Sequence, residues 1–131
     1  MASDRVIDIE ALCAPVSEGQ PAGPYCRDDA TIRDQLYPVV DSARSDAQRN
    51  ERKKRERELF PEGSRERQKY EEPNWDKVID AATDLLFKSK DLWVVAWLTE
   101  ALARRYGFRG LRDGLKLTYC LCQRYWDQIH P

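Results

Sequence analysis

The chain has one histidine, one methionine and a net charge of only −1, from 22 basic and 23 acidic residues. No apolar run approaches the roughly 20 residues that a membrane helix needs, so no integral membrane segment is expected. With the signs nearly balanced, the whole molecule has no long-range attraction for nucleic acid or an anionic membrane; any such attraction must come from a local patch. The single histidine, His130, sits beside the last residue with no nucleophile near it in sequence, and no HExxH or glycine-rich phosphate loop occurs. The carboxylate pairs Asp28-Asp29 and Glu71-Glu72 are adjacent residues in polar loops, which implies no shared pocket. The expectation is therefore a chain that is not an enzyme, with no cofactor and no metal site. Met1 to Asp8 carries acidic residues and no apolar core, so it does not read as a signal peptide. The four cysteines, Cys13, Cys26, Cys120 and Cys122, are accordingly expected as thiols in a reducing cytoplasm. Cys120 and Cys122, two apart on one helix, point to different faces and cannot readily bridge.

What is abundant is charge and aromatic bulk. Charged residues make up 34% of the chain, and four tryptophans, six tyrosines and three phenylalanines can organise a core. A length of 131 residues suits one domain, spanning 1–131. Val6 to Leu12 is a short apolar segment. Prolines 15, 21 and 24 with glycines 19 and 23 then forbid regular structure up to about Asp28. Asp28 or Asp29 can cap a helix on which Ile32, Leu36, Val39, Val40 and Ala43 share one face, and Pro38 should kink or divide it. From Arg44 to Glu72 the chain is highly charged and nearly lacks apolar residues. It reads equally as a solvated helix or as a disordered segment, broken in either case at Pro61-Glu62-Gly63-Ser64.

The remainder predicts an all-α fold of about five to six helices, its centre an antiparallel group of three at about 74–90, 91–107 and 110–129. Asn74 caps the first, in which Trp75, Val78, Ile79, Ala82, Leu85 and Leu86 have helical spacing. Lys88 and Lys90 suit its end, and Asp91 caps the next. Leu92 to Leu98 is apolar all round, so that half-helix should be enclosed on every side, and Gly107 should stop it. The last helix carries Leu111, Leu115, Cys122, Tyr125, Trp126 and Ile129 on one side, broadened by Leu117 and Leu121. It runs almost to His130-Pro131, so a piece of a longer chain is expected.

Several of these segments together resemble a known family. Ser89-Lys90-Asp91-Leu92 with Val95-Ala96-Trp97-Leu98-Thr99-Glu100-Ala101-Leu102 is similar to the signature of the ImpA N-terminal domain. Gly107 to Leu115 resembles that family's turn into its next helix, and Arg124 to Pro131 its close. Pro73-Asn74-Trp75 resembles the start of its first core helix, and Leu12 to Ser17 with Pro21-Ala22-Gly23 its opening. Pro24-Tyr25-Cys26 and the charged segment 44–72 depart from the pattern. The resemblance implies a module at the N-terminus of bacterial proteins that assist assembly of the contractile type VI secretion machine at its baseplate and along its sheath. Its expected partners are other type VI secretion proteins, with self-association through regions outside this chain, and with no nucleic acid or membrane insertion.

Two patches are candidate partner-binding sites. Trp97, Glu100 and Arg104 can present a docking surface, since tryptophan and arginine dominate binding hot spots. A plainer reading carries more weight: Trp93 and Trp97 are core, and Glu100 with Arg104 is an i, i+4 ion pair. Likewise Ser89-Lys90-Asp91 reads more simply as an interhelical turn with a cap than as a polar site. The second patch is the basic run 49–57, including Arg52, Lys53 and Arg55. It lacks aromatic residues for base stacking, so RNA binding is the lesser alternative. A self-associating ring element is another.

Overall fold

Three helices begin where the sequence provides a side-chain acceptor just ahead of them. Asp8 accepts from the Ala11 N–H (3.1 Å), Asn74 from Lys77 (3.0 Å) and Asp91 from Val94 (3.2 Å). Each satisfies one of the donors left orphaned in a first helical turn. In the computed structural model, which describes residues 4–65, 67 and 69–131, these caps open α1 (Ile9–Cys13), α3 (Trp75–Leu86) and α4 (Leu92–Tyr106). The other helices are α2 (Tyr37–Arg57) and α5 (Phe108–Tyr125). The fold is all-α, as expected.

Asp29 takes the Ile32 N–H at 3.0 Å and starts the second region. Pro38 does not break it. Instead, residues Ile32–Leu36 wind as a π-helical turn, with the Tyr37 N–H reaching back to the Ile32 carbonyl, and α2 continues from there. Widening the turn before a proline accommodates its missing donor and its ring. Ile32, Val40 and Ala43 face inward, whereas Val39 is exposed. The charged segment divides at its breaker: helix through Arg57, irregular chain through the described residues up to Asn74.

Three side-chain pairs and one backbone hydrogen bond fix the directions. Arg105 at the end of α4 meets Asp76 at the start of α3, and the Leu92 N–H bonds the carbonyl of His130 beyond α5, so α4 runs antiparallel to both. Glu51 of α2 accepts from Trp75 and Lys54 reaches Glu72, so α2 runs antiparallel to α3 and alongside α4. Ala82, Leu85, Leu86, Val94, Val95, Leu98, Leu102, Leu117 and Leu121 form the shared core.

The three core helices differ from expectation at their ends and faces. The first stops at Leu86, with residues 87–91 forming a turn rather than continuing it. The last begins at Phe108, not 110, because Gly107 alone makes the connection: at φ 66° it ends α4, and its carbonyl accepts the first bond of α5 from Leu111. A positive φ of this kind suits glycine. The buried face of α5 is Gly110, Asp113, Gly114, Leu117, Leu121 and Tyr125. Leu111, Leu115 and Trp126, assigned above to that side, are exposed on the opposite one. A Cβ on Gly110 would strike the Leu102 carbonyl, and one on Gly114 would lie 2.6 Å from Thr99 Oγ1, so the small residues set how closely α5 crosses α4. Glycine content, not leucine content, marked the contact face.

Nor is the first half of α4 enclosed on every side. Val94, Val95 and Leu98 are buried, but Trp93 and Ala96 are exposed and Leu92 and Trp97 are half-buried. No helix among the described residues is long and apolar enough to cross a membrane.

Candidate protein-docking site

The turn before α4 contains three consecutive polar residues, Ser89, Lys90 and Asp91, and all three are buried. Lys90 Nζ donates to the carbonyls of Leu12 (2.6 Å) and Leu86 (2.9 Å), at the C-terminal ends of α1 and α3. Those carbonyls have no intrahelical donor and carry the negative end of each helix dipole, so a cation suits them. Burial nevertheless lowers the Lys90 ammonium below its ordinary range. Ser89 Oγ donates to the Pro24 carbonyl (2.7 Å), and the Lys90 N–H to that of Ala22 (2.7 Å). From the other side, the His130 N–H bonds the Lys90 carbonyl (3.0 Å), and His130 Nε2 donates to the Gly23 carbonyl (2.8 Å). The turn is thus a cap, as expected, and also a buckle holding the N-terminal loop and the chain's last residues against the start of α4.

That buckle frames a pocket of about 330 Å³. Tyr25 comes from the loop, Tyr37 from the start of α2, and Trp93 and Trp97 from successive turns of α4. The Trp97 ring lies 5.4 Å from Tyr37 and 6.4 Å from Trp93, centroid to centroid, and the Arg44 guanidinium sits 5.2 Å over it. Buried Cys26 and Asp91 close the inner end, and exposed Arg27 and Arg33 flank the opening. The Arg33 charge is taken up by Asp34 (2.9 Å), whereas Arg27 lies 6.0 Å over the Tyr25 ring.

The chemistry at the inner end is closed. Asp91 accepts from the Val94 N–H and from the Cys26 thiol at 3.4 Å, and burial raises its carboxyl above the usual range. Burial pushes the Cys26 thiol up to about 12, so it is a protonated thiol at neutral pH and not a nucleophile. Cys13 is likewise pushed up to about 12, first by burial and then by neighbouring Cys120. Among the described residues no group of three or more His, Cys, Asp or Glu is disposed to hold a metal. What remains open is aromatic surface with a cation beside it, suited to an apolar side chain next to an acidic group.

The expected site residues separate. Trp97 lines the pocket, and Trp93, read above as core, is 60% exposed. Glu100 does not pair with Arg104. It accepts from Arg44 Nε (3.1 Å) and Gln48 Nε2 (3.1 Å) and clasps α2 to α4, while Arg104 faces solvent. The basic patch is elsewhere: Arg52 and Arg55 are exposed and Lys53 half-buried on α2, roughly 6–10 Å of helical rise beyond Gln48 of the Glu100 clasp. Several charges beside it are engaged, as Arg49 with Asp46, Lys54 with Glu72 and Arg57 over the Tyr70 ring. Tyr25, Arg27 and Tyr37 were not singled out from the sequence. One signal was present, because Pro24-Tyr25-Cys26 was one of the two stretches that departed from the family pattern.

Comparison with known proteins follows the same lines. The family model described as "ImpA, N-terminal, type VI secretion system" matches residues 13–131. Over 132 aligned residues the chain is 30% identical to the type VI secretion system component TssA1 of Pseudomonas aeruginosa, covering 96% of this chain and 32% of that protein. Among solved structures it is similar to the N-terminal domain, including the conserved ImpA_N region, of the TssA component from Burkholderia cenocepacia. That match has a TM-score of 0.67 and 30% identity, covering 99% of this chain and 41% of the other. The chain therefore spans about a third of the curated relative's length.

Proposed function

Since the chain belongs to the ImpA N-terminal family of the type VI secretion system, we propose that it is the non-catalytic docking module of a TssA-like component. It works in the bacterial cytoplasm and binds other secretion proteins, at the baseplate or the sheath, through the Trp93–Trp97 pocket. One observation carries this reading: Trp93, in the first turn of a well-capped helix, is 60% exposed beside an open pocket whose other walls are Tyr25, Tyr37 and Trp97. A core tryptophan would not stand there, whereas exposed aromatic residues beside an arginine are the usual anchors of a protein interface. A partner would insert an apolar side chain between the rings and set a carboxylate against Arg27.

Titration of the full-length protein against purified baseplate complex and purified sheath subunits tests this. Trp93→Ala is expected to weaken binding to one of them about 30-fold, roughly 2 kcal/mol, with an unchanged melting temperature. Wild-type affinity of the variant for both would dismiss the pocket.

A further inference from the structure

A globular helix ordinarily has one apolar face, turned to the core. Helix α5 has two. Opposite the face that packs on α4, it exposes Phe108, Leu111, Leu115, Tyr119 and, at its last turn, Trp126, from 37% for Leu111 to 89% for Phe108. Half-buried Cys122 fills the one gap. At 100° per residue these side chains fall within roughly 80° of arc, along a seam about 27 Å long. Single exposed apolar residues need no explanation, but a continuous stripe on the order of 600 Å² marks an interaction surface.

We propose that this outward face of α5 is a second docking surface, distinct from the α4 pocket, and that its occupant is an amphipathic helix with an acidic flank contributed by another protein. The spacing of three and four residues selects a helix, because only a partner with the same period can follow the seam along its length. Charge selects the flank. Apart from buried Asp113, the charged side chains of α5 are all basic: Arg112 is half-buried and paired with Asp113, Arg124 pairs with Glu10, and exposed Arg109 and Lys116 lie along one side of the stripe. The helix's acidic residue, Asp113, is buried beneath Arg112 and the Val6 N–H. The next carboxylate along the chain, Asp127, comes only past the helix end. A second copy packed antiparallel would bring basic flank against basic flank, which disfavours that occupant.

The test uses the whole chain and two labelled synthetic peptides of about three heptads. Both have leucine at seam positions; one carries glutamate at the flanking positions and the other lysine. Fluorescence anisotropy is expected to show the glutamate peptide binding at least about tenfold tighter, the advantage shrinking with salt. Leu115→Ala with Tyr119→Ala, both at exposed positions, should abolish binding while the circular dichroism and melting stay unchanged. Arg109→Glu with Lys116→Glu should invert the preference. Equal binding of the two peptides, binding by neither, or binding indifferent to the stripe variants would overturn the proposal. So would sedimentation showing that the unliganded chain dimerises through Leu115, since the occupant would then be a second copy.

Discussion

Asp113 shows how one residue can hold a terminus. Fully buried in α5, it accepts from the Val6 N–H (2.6 Å) and from Arg112 Nε (2.8 Å), tying the start of the chain to a helix more than a hundred residues away. Burial opposes its charge, but the hydrogen bonds from Arg112 and Val6, with the Arg112 charge, outweigh it and hold the carboxyl below the usual range. Asp113→Ala removes the acceptor of both donors, and denaturant unfolding should show a loss of about 2–3 kcal/mol. Faster hydrogen exchange at Val6 should accompany it. The sequence indicated an aspartate in a helix; nothing in it indicated burial, since the partner backbone comes from the far end of the chain. Lys90 is similar. Its place near the end of α3 was legible, but its reach to Leu12 depends on where α1 comes to rest.

Helix existence was readable because it depends on neighbours a few residues apart. The caps at Asn74 and Asp91 and the stop at Gly107 all fall where local chemistry puts them. Which face of a helix meets the core is different when two faces are apolar. In α5 the leucines and aromatics divide between both sides, and the contact face is decided by Gly110 and Gly114, where backbones approach too closely for a side chain. Gly110→Ala sets a methyl group against the Leu102 carbonyl of α4, which cannot move without shifting its helix. A thermal melt should fall by roughly 10 °C, corresponding to about 2–3 kcal/mol. Gly114→Ala should cost less, because the atoms it meets belong to the Thr99 side chain.

Across the whole molecule, buried thiols govern the alkaline limit. Cys13 and Cys26 are pushed from 9.0 to about 12 in the folded state, mainly by burial. Between those values the native chain holds protons that the unfolded chain has released. The contribution of the two thiols to stability is thus complete below about pH 9 and is lost as pH rises toward 12. Burial also raises the Tyr37 and Tyr125 phenols, which adds to the loss. Lys90 acts in the opposite sense, because its lowered value makes the native state release its proton first. With two thiols and two phenols against one ammonium, urea unfolding midpoints are expected to hold from pH 7 to 9 and then fall. A Cys13→Ala, Cys26→Ala chain should show a shallower decline; an equally steep one would put the loss elsewhere. Cys26 also closes the inner end of the pocket, so Cys13→Ala alone, which lies outside the pocket lining, should show part of the same flattening.

The all-α class, the helices from Asn74 onward, the caps at Asn74 and Asp91 and the family membership were determined by the sequence alone, because each rests on spacing or on a contiguous motif. The pocket was not. It joins Tyr25 from a proline-rich loop, Tyr37 from beside a π-helical turn and two tryptophans from α4, and only the packing of α2 against α4 brings them together. The exposure of Trp93 was hidden for the same reason: seven consecutive apolar residues say that a segment avoids water, but not which of them the neighbouring helices leave uncovered. Tertiary structure decides that, because burial is a property of the surfaces that meet and not of either one by itself.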